Sequence, residues 1–153
     1  MELARELARR DIAVTVVTAS LAVGSELWGR EQVRVLILGG QLRAGSPDLT
    51  GPLCEHSLDL LQAQRAFLGC DGLIPERGLF AADADGARIS ATMLRNASWC
   101  CVLTDSSKIG HPAAVRYALL SEVDRLITDD LIAPEHLPVL RRSIPQVEVV
   151  PVD

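Results

Sequence analysis

The stretch that decides the fold is Arg-Ala-Phe-Leu-Gly-Cys-Asp-Gly, residues 65–72. Its short apolar run, Ala66 to Leu68, stops at Gly69, and a carboxylate follows at Asp71. This pattern predicts a buried strand that ends at the rim of a sheet, because glycine lets the backbone turn sharply and lets a ligand approach closely. Asp71 has two interpretations: it is a turn aspartate that caps its own backbone, or it is the acid of a ligand site.

Other apolar runs of the chain end in the same kind of residue. They stop at Ser20, at Gly39-Gly40, at the segment 104–108 and at the segment 128–130. The sequence predicts strands at 12–17, 33–38, 66–68, 99–103, 125–127 and 147–150, and helices at 2–10, 21–28, 53–61, 87–96 and 134–141. Residues 75–78 are predicted as a loop, and residues 115–120 are apolar but ambiguous. Alternating strands and helices with short connections predict an α/β protein whose mostly parallel sheet is flanked by helices on both faces.

Two helix starts carry signals of their own. Ser20 precedes the helix predicted at 21–28 and is of a residue type that caps helix N-termini through its side chain. Pro52 opens the next helix, where its missing N–H group has no partner to lose.

The polar residues after the strands predict a binding site. In a parallel sheet the carboxyl ends of the strands meet at one edge, and ligands bind there. The candidate ligand-binding residues are Ser20, Gly39, Gly40, Arg43, Asp71, Gly72, Ser106 and Lys108. Backbone amides and two cations suit an anion, and carboxylates suit hydroxyl groups, so the set favours a small polyhydroxylated anion.

Two of these positions, and one residue beside them, have a second interpretation that involves no ligand. Lys108 fits a solvated loop lysine, and Arg43 fits an ion pair with Asp48 or Glu55. Asp105, beside the predicted site, can hold the turn that follows it through its own backbone.

Composition excludes several classes of function. The chain has 153 residues, 48% of them hydrophobic and 3% aromatic, which predicts one domain with an aliphatic core. The net charge is −5 and no basic stripe is present, so this chain is not expected to bind nucleic acid directly. The four cysteines lack C-x-x-C spacing and the three histidines are scattered, so neither a metal site nor a cofactor is predicted. Residues 12–25 are too short to span a bilayer and no signal peptide opens the chain, so we expect a cytoplasmic protein without membrane contact.

Five segments together resemble a known family. They are Leu-Ile-Leu-Gly-Gly-Gln-Leu-Arg (36–43), Thr-Gly-Pro-Leu (50–53), Ala-Phe-Leu-Gly-Cys-Asp-Gly (66–72), Thr-Asp-Ser-Ser-Lys (104–108) and Asp-Arg-Leu-Ile-Thr-Asp-Asp (124–130). In this order they resemble the sensor domain of DeoR-type bacterial transcription regulators. The resemblance implies the Rossmann-like fold of ribose-5-phosphate isomerase and glucosamine-6-phosphate deaminase. It also implies a phosphorylated sugar or related metabolite as effector and a homo-oligomeric repressor, dimer or tetramer, that reads DNA through a separate winged helix-turn-helix.

The chain departs from that family pattern in three ways. It has no helix-turn-helix segment, so residues 1–153 are expected to be a single sensor domain. The family's first strand, with its Gly-Thr-Thr phosphate loop, is expected before Met1 and is missing. The family's Thr-Asn-Ser is replaced by a segment with Ala19, and its Glu and Lys in a later helix align with Gly86 and Ser90. These replacements remove polar groups from the expected pocket.

Three functions follow as hypotheses. The first is an effector-binding domain, in which Arg43 and Lys108 offset the charge of the anion and Asp71 accepts hydrogen bonds from its hydroxyls. The second is an assembly domain whose pocket has decayed. The third is a sugar-phosphate isomerase, which we disfavour because no second acid directly follows Asp71 to support a general base.

Overall fold

The computed structural model describes residues 1–152, which fall into two units, one beginning at Met1 and the other at Leu61. Each unit has its own sheets and is described separately. The expectation that residues 1–153 act as one sensor domain stays a prediction.

The first unit contains two parallel strands and three helices. Its elements are α1 (Glu2–Arg9), β1 (Val14–Thr18), α2 (Leu21–Leu27), β2 (Val33–Ile37), β3 (Gln41–Leu42), β4 (Leu49–Thr50) and α3 (Pro52–Asp59). Strands β1 and β2 are parallel, and Val14 pairs with Val33 at one end of the register while Thr18 pairs with Ile37 at the other. Strands β3 and β4 form an antiparallel pair that the sequence did not predict, because each has only two residues.

Amphipathic patterning explains how the first unit packs. Ala4 of α1, Leu27 of α2 and Val33 of β2 form a buried cluster. The other side of α1 is charged, and the guanidinium Nε of Arg10 donates a hydrogen bond of 2.7 Å to a Glu6 carboxylate oxygen. The opening helix therefore buries one apolar stripe and exposes ion pairs, as its residue spacing predicts.

The second unit contains a parallel sheet and an antiparallel one. Its elements are β5 (Ala66–Leu68), β6 (Gly72–Ile74), β7 (Gly78–Ala81), α4 (Ala84–Arg95), β8 (Cys100–Leu103), β9 (Val115–Ala118), β10 (Arg125–Asp129), α5 (Leu137–Ser143) and β11 (Gln146–Val150). The order β11-β10-β8-β5 forms a four-stranded sheet in which all pairs are parallel. The order β6-β7-β9 forms a small antiparallel sheet. Leu73, Val102, Leu126 and Leu140 are fully buried between these elements.

The antiparallel sheet is the main difference from the prediction. The predicted loop at 75–78 is the connection of the β6–β7 hairpin, and the ambiguous segment at 115–120 begins with strand β9. Gly78 explains how the hairpin fits: its φ is +110°, and a Cβ atom there would lie 2.1 Å from the carbonyl oxygen of Ala118. Strands of three or four residues show too little alternation to be recognised from sequence.

Helix boundaries shift for identifiable reasons. Helix α4 begins at Ala84 and not at residue 87, because the carboxylate of Asp83 accepts a hydrogen bond of 2.8 Å from the Gly86 N–H group. Helix α3 has Pro52 in its first turn, as predicted. The prediction of an α/β protein with a parallel sheet flanked by helices is confirmed, and this architecture is consistent with the Rossmann-like fold of the sugar isomerases.

Candidate functional site

In the second unit the residues after β5, β8 and β10 lie side by side at the carboxyl edge of the parallel sheet. The Cys70 thiol is 3.4 Å from the Thr104 hydroxyl, which links the end of β5 to the end of β8. The Ser106 N–H group donates a 2.7 Å hydrogen bond to a carboxylate oxygen of Asp129, which links β8 to β10. The structure thus brings segments 69–72, 104–108 and 128–130 together at one edge of this unit. We call this edge the 69–130 rim.

The turn at 105–108 is held by carboxylates. Asp105 accepts a hydrogen bond of 3.0 Å from the Ser107 N–H group and another from the Ser107 hydroxyl. The Asp129 carboxylate accepts a hydrogen bond from the Ser106 N–H group, and the Lys108 N–H group donates to the Asp105 carbonyl at 3.2 Å. Asp105 therefore holds the turn that follows it, as its structural interpretation predicts. The backbone amides of this turn are already used, so they do not form the anion cradle that the sequence suggested.

Lys108 is the cation of this rim. Its side chain is half-buried, and within residues 1–152 its ammonium group makes no hydrogen bond or ion pair. It is also the only lysine in the sequence. The ammonium group of a half-buried lysine that has no protein carboxylate as partner is suited to an incoming anion.

Asp129 accepts hydrogen bonds from the turn, and these lower the pKa of its carboxyl group. Hydrogen bonds from the Ser106 side chain and backbone, and from the Leu131 N–H group, lower the pKa of Asp129. The ionised carboxylate is stabilised by these donors, so it fixes the 105–108 turn against the end of β10. Ser106, a predicted ligand donor, uses its N–H group and its side chain on Asp129.

Asp71 connects the rim to the antiparallel sheet. Its carboxylate accepts a hydrogen bond of 2.7 Å from the Ala82 N–H group, and its own N–H group donates to the Phe80 carbonyl at 2.9 Å. Asp71 is exposed, so the carboxylate also faces solvent. The aspartate is thus not a cap of its own local turn, because its backbone partners lie across the β6–β7 hairpin.

Gly69 and Gly72, on either side of Asp71, differ in the space that the fold leaves for a side chain. A Cβ atom on Gly72 would lie 2.4 Å from the His111 carbonyl oxygen, so close packing of the chain itself requires glycine there. A Cβ atom on Gly69 would have only the Leu103 carbonyl oxygen nearby, at 3.9 Å, and Gly69 has no positive φ. The fold leaves the space beside Gly69 open, which suits the close approach of a ligand.

Tyr117 is a rim residue that sequence reasoning missed. Its hydroxyl donates a 2.7 Å hydrogen bond to the Gly69 carbonyl, and burial raises the pKa of Tyr117. Burial likewise raises the pKa of the Cys70 thiol, so both groups stay neutral at pH 7. No local signal predicts a contact between residues so far apart in the chain.

In the first unit, Ser20 follows β1 at the carboxyl edge of the two-stranded parallel sheet. Ser20 occupies the N-cap position of α2, but its side chain makes no capping hydrogen bond, so the predicted cap is wrong. Its N–H group instead donates to the Thr18 hydroxyl at 3.0 Å, and its backbone bridges to Asp48. These contacts fix the backbone around Ser20 without using its hydroxyl as a cap. Ala19, where the family pattern has Asn, is buried.

Gly39 and Gly40 follow β2 and contrast in the same way as Gly69 and Gly72. Gly40 has a φ of +147°, and a Cβ atom there would lie 2.6 Å from the Thr50 carbonyl oxygen. Gly39 has no positive φ, is exposed, and has no atom within 4 Å of the position of a Cβ atom. Gly40 is therefore required by the fold, whereas nothing in the fold requires Gly39 to be glycine.

Arg43 lies in the turn between β3 and β4. Its N–H group donates to the Asp48 carbonyl at 2.9 Å, while the Asp48 carboxylate accepts a 2.6 Å hydrogen bond from the Ser46 hydroxyl. Half-buried Arg43 is thus placed by a hydrogen-bonded turn that begins three residues after Gly40.

Residues 1–152 contain no group of three or more His, Cys, Asp or Glu side chains arranged to hold a metal ion. None of their helices combines the length and the apolar character needed to cross a bilayer.

Comparison with known proteins defines the class. Residues 1–130 match the family described as the DeoR C terminal sensor domain. The chain is 32% identical over 141 residues to the HTH-type transcriptional regulator YulB of Bacillus subtilis strain 168, an alignment that covers 92% of this chain and 55% of YulB. It is 34% identical over 129 residues to the HTH-type transcriptional regulator GlpR of Haloferax volcanii, covering 84% of this chain and 50% of GlpR. It is 29% identical over 117 residues to the glycerol-3-phosphate regulon repressor of Escherichia coli K12, covering 74% of this chain and 45% of that repressor.

The class is a regulatory sensor domain and not an enzyme, because the matched family is a sensor domain and these relatives are transcription regulators. Within that class, this chain belongs to the DeoR C-terminal sensor domain family. The chain spans about half the length of the curated relatives it matches.

Proposed function

We propose that this chain binds a phosphorylated sugar or a related small anionic metabolite and thereby controls DNA binding by a separate helix-turn-helix domain. The observation that carries the proposal is the 69–130 rim, where Lys108 lies half-buried and without a protein partner within residues 1–152. One relative is the glycerol-3-phosphate regulon repressor of Escherichia coli K12, whose name refers to a small phosphorylated polyol. We also propose that the domain acts as a homo-oligomer, a dimer or a tetramer.

The residues have distinct roles in this proposal. In the second unit, Lys108 contacts the anionic group as a point charge. Asp71 accepts hydrogen bonds from ligand hydroxyls with the oxygen that Ala82 does not use. Gly69 leaves space for the ligand to approach the backbone. In the first unit, Arg43 with its planar guanidinium and Gly39 with its open surroundings remain predicted ligand residues. The predicted set is completed by Ser20, Gly40, Gly72 and Ser106. Gly40 and Gly72 shape the backbone, and Ser106 fixes the turn before Lys108.

A thermal-shift panel tests this proposal. Inorganic phosphate, glycerol 3-phosphate, glucosamine 6-phosphate and ribose 5-phosphate are the probes, and a ligand that binds only the folded state raises the Tm by mass action. We expect at least one phosphorylated compound to raise the Tm, and its dephosphorylated counterpart to have no effect. A flat response to the whole panel contradicts the proposal.

The single lysine gives a second, positional readout. An amine-acylating reagent can modify only Lys108 and the N-terminal amine, and mass spectrometry separates the two products. We expect an active compound from the panel to protect Lys108 while the N-terminal amine reacts at an unchanged rate. Equal acylation of Lys108 with and without that compound would place the anion elsewhere.

Two observations favour a second function, assembly without an effector. The amides of Ser106 and Ser107 are already bonded to carboxylates, and Gly86 and Ser90 supply little of the polarity expected from the family pattern. A flat thermal-shift panel together with a stable oligomer in light scattering would favour this alternative.

A further inference from the structure

One peptide unit of the 69–130 rim, the one that joins Gly69 to Cys70, is held by a single hydrogen bond. Its carbonyl, that of Gly69, accepts from the Tyr117 hydroxyl at 2.7 Å. Its N–H group, that of Cys70, donates no hydrogen bond within residues 1–152. Cys70 is half-buried, and a backbone N–H group that is partly withdrawn from water ordinarily has a partner. The Cys70 N–H group is therefore a donor that the fold leaves available to a ligand.

Cys70 lies where strands β5 and β8 have stopped pairing, since the last paired residues are Leu68 and Val102. One rung further, a regular parallel ladder would join the Cys70 N–H group to the Leu103 carbonyl, but this hydrogen bond does not form. A Cβ atom on Gly69 would find only the Leu103 carbonyl oxygen nearby, at 3.9 Å. The diverging strand ends thus leave room beside this peptide unit for an oxygen atom of a ligand.

Tyr117 sets which end of the peptide unit is available. The peptide bond is trans, so its C=O and N–H bonds point in opposite directions. Because the Gly69 carbonyl is bonded to Tyr117, the Cys70 N–H group is directed away from the tyrosine. Gly69 has no side chain to restrict its backbone, so without the tyrosine hydroxyl the peptide unit is free to rotate and to present its carbonyl instead. A carbonyl oxygen cannot donate to the oxygen atoms of a sugar or a phosphate.

We propose that Tyr117 is a positioning residue of the rim, which holds the Gly69–Cys70 peptide unit so that the Cys70 N–H group donates to an oxygen atom of the effector. This role rests on the proposed effector binding and names one of its donors. Burial raises the pKa of Tyr117, so its hydroxyl stays a neutral donor at pH 7.

The charges around Cys70 define the kind of oxygen atom that its N–H group binds. Burial raises the pKa of the Cys70 thiol most, and the negative charges of Asp71 and Asp105 raise it further. Two carboxylates therefore lie close to this amide, and both would repel a phosphate oxygen. A sugar hydroxyl or carbonyl oxygen accepts from the amide without adding charge. The uncharged oxygens of the effector thus bind at Cys70, and its anionic group binds at Lys108.

Isothermal titration calorimetry of the whole chain tests the role of Tyr117, with the phosphorylated compound of the thermal-shift panel that raises the Tm as the probe. Tyr117→Phe removes the hydroxyl and keeps the ring, which packs against the core of the second unit. The matched control is Ser57→Ala in α3, because the Ser57 hydroxyl also donates to a backbone carbonyl at 2.7 Å, that of Leu53. Circular dichroism establishes that each variant is folded. We expect Tyr117→Phe to weaken binding by about three- to tenfold and Ser57→Ala to leave it unchanged.

Amide hydrogen exchange followed by NMR tests the donor without any substitution. In the free wild type the Cys70 amide should exchange rapidly, whereas the Asp71 amide, which is bonded to the Phe80 carbonyl, should exchange slowly. The same compound should slow exchange at Cys70, because the amide then has a hydrogen-bond partner. In Tyr117→Phe saturated with the compound, this protection should be smaller than in the wild type.

The outcomes separate the role of Tyr117 from effector binding itself. A folded Tyr117→Phe variant that binds the compound as tightly as the wild type would overturn the positioning role and leave effector binding intact. Exchange at Cys70 that the compound does not slow would do the same, even if the variant failed to fold. A wild type that binds no compound of the panel would overturn the proposed function, and the role of Tyr117 with it.

Discussion

At the level of single residues, aspartates at the strand ends hold the backbone of this chain in place. Asp71 binds the Ala82 N–H group, Asp105 binds that of Ser107, and Asp129 binds that of Ser106. Lys108 is the residue these carboxylates leave without a partner within residues 1–152. The chemistry of the rim therefore separates into carboxylates that shape the loops and a cation that remains available to an anion.

Replacing Lys108 tests the cation. We expect Lys108→Ala to weaken binding of a phosphorylated effector by about tenfold or more, since a hydrogen bond to a charged group contributes about 1.5–3 kcal/mol. The free energy of unfolding should change by no more than about 1 kcal/mol, because the half-buried side chain loses some packing but its ammonium group makes no hydrogen bond or ion pair within residues 1–152. Isothermal titration calorimetry and urea unfolding measure the two quantities.

Arg142→Ala is the matched control, since it removes a positive charge from the exposed end of α5. It should leave the affinity unchanged. If Lys108→Ala instead lowered stability strongly with unaltered affinity, Lys108 would be a structural residue.

The glycine pair after β2 gives a second prediction at this scale. Gly40→Ala should lower the free energy of unfolding by about 1–3 kcal/mol, because its φ of +147° and the Thr50 carbonyl at 2.6 Å both oppose a Cβ atom. Gly39→Ala should leave stability unchanged or raise it by about 0.4–1 kcal/mol, because the unfolded chain loses freedom and the fold has room for a methyl group.

Effector affinity distinguishes the role of Gly39. If a ligand approaches the backbone there, Gly39→Ala weakens binding even though the protein is as stable as the wild type. Unchanged affinity in a stable Gly39→Ala variant would remove Gly39 from the site.

At the level of secondary structure, the sequence predicted the elements whose signals are local. The β-branched and apolar runs that became β1, β2, β8, β10 and β11 were recognised from composition, and the helix after Gly51-Pro52 was recognised from its start signal. The antiparallel β6-β7-β9 sheet was not predicted, because its strands are short and the reason for its glycines lies far away in the chain. A Cβ atom on Gly72 would clash with the backbone of His111, and one on Gly78 would clash with the backbone of Ala118.

The rim was also predicted only in part from the sequence. Parallel-sheet topology correctly brought segments 69–72, 104–108 and 128–130 to one edge of the second unit. The sequence did not predict the hydrogen bond from the Ser106 N–H group to Asp129 or the one from the Tyr117 hydroxyl to the Gly69 carbonyl. Both contacts join residues far apart in the chain. Chain-order patterns locate strand ends, whereas the partners of individual polar groups depend on three-dimensional packing.

The link between the 105–108 turn and β10 depends on pH. Hydrogen bonds to Asp129 lower its pKa in the folded state from the ordinary value of 3.8. The stability that this group contributes is therefore fully present above the unfolded-state pKa and is lost as the pH falls through the folded-state pKa. We expect the difference in unfolding free energy between the wild type and Asp129→Asn to shrink as the pH is lowered from 6 to 3.

Urea unfolding at several pH values measures this difference, and Asp59→Asn on the exposed side of α3 is the control that should follow the wild type. A difference between the wild type and Asp129→Asn that is constant over this range would contradict an ionised role for Asp129.

At the level of the whole chain, family membership and the rim give a consistent account. A DeoR-type sensor domain with a net charge of −5 has no excess of positive charge to neutralise DNA phosphates, so we propose regulation through a separate DNA-binding domain. The rim is polar and includes a cation without a protein partner within residues 1–152. We therefore propose that the effector binds at the rim.

The most direct test of the account is a titration of ¹⁵N-labelled protein with a phosphorylated compound from the thermal-shift panel, followed by two-dimensional NMR. We expect saturable shifts of the amide signals at Gly69 and around Lys108, with little change at Gly24 and Ser25 of α2. Shifts confined to other parts of the chain, or no saturable shift with any compound of the panel, would contradict effector binding at the carboxyl ends of the strands.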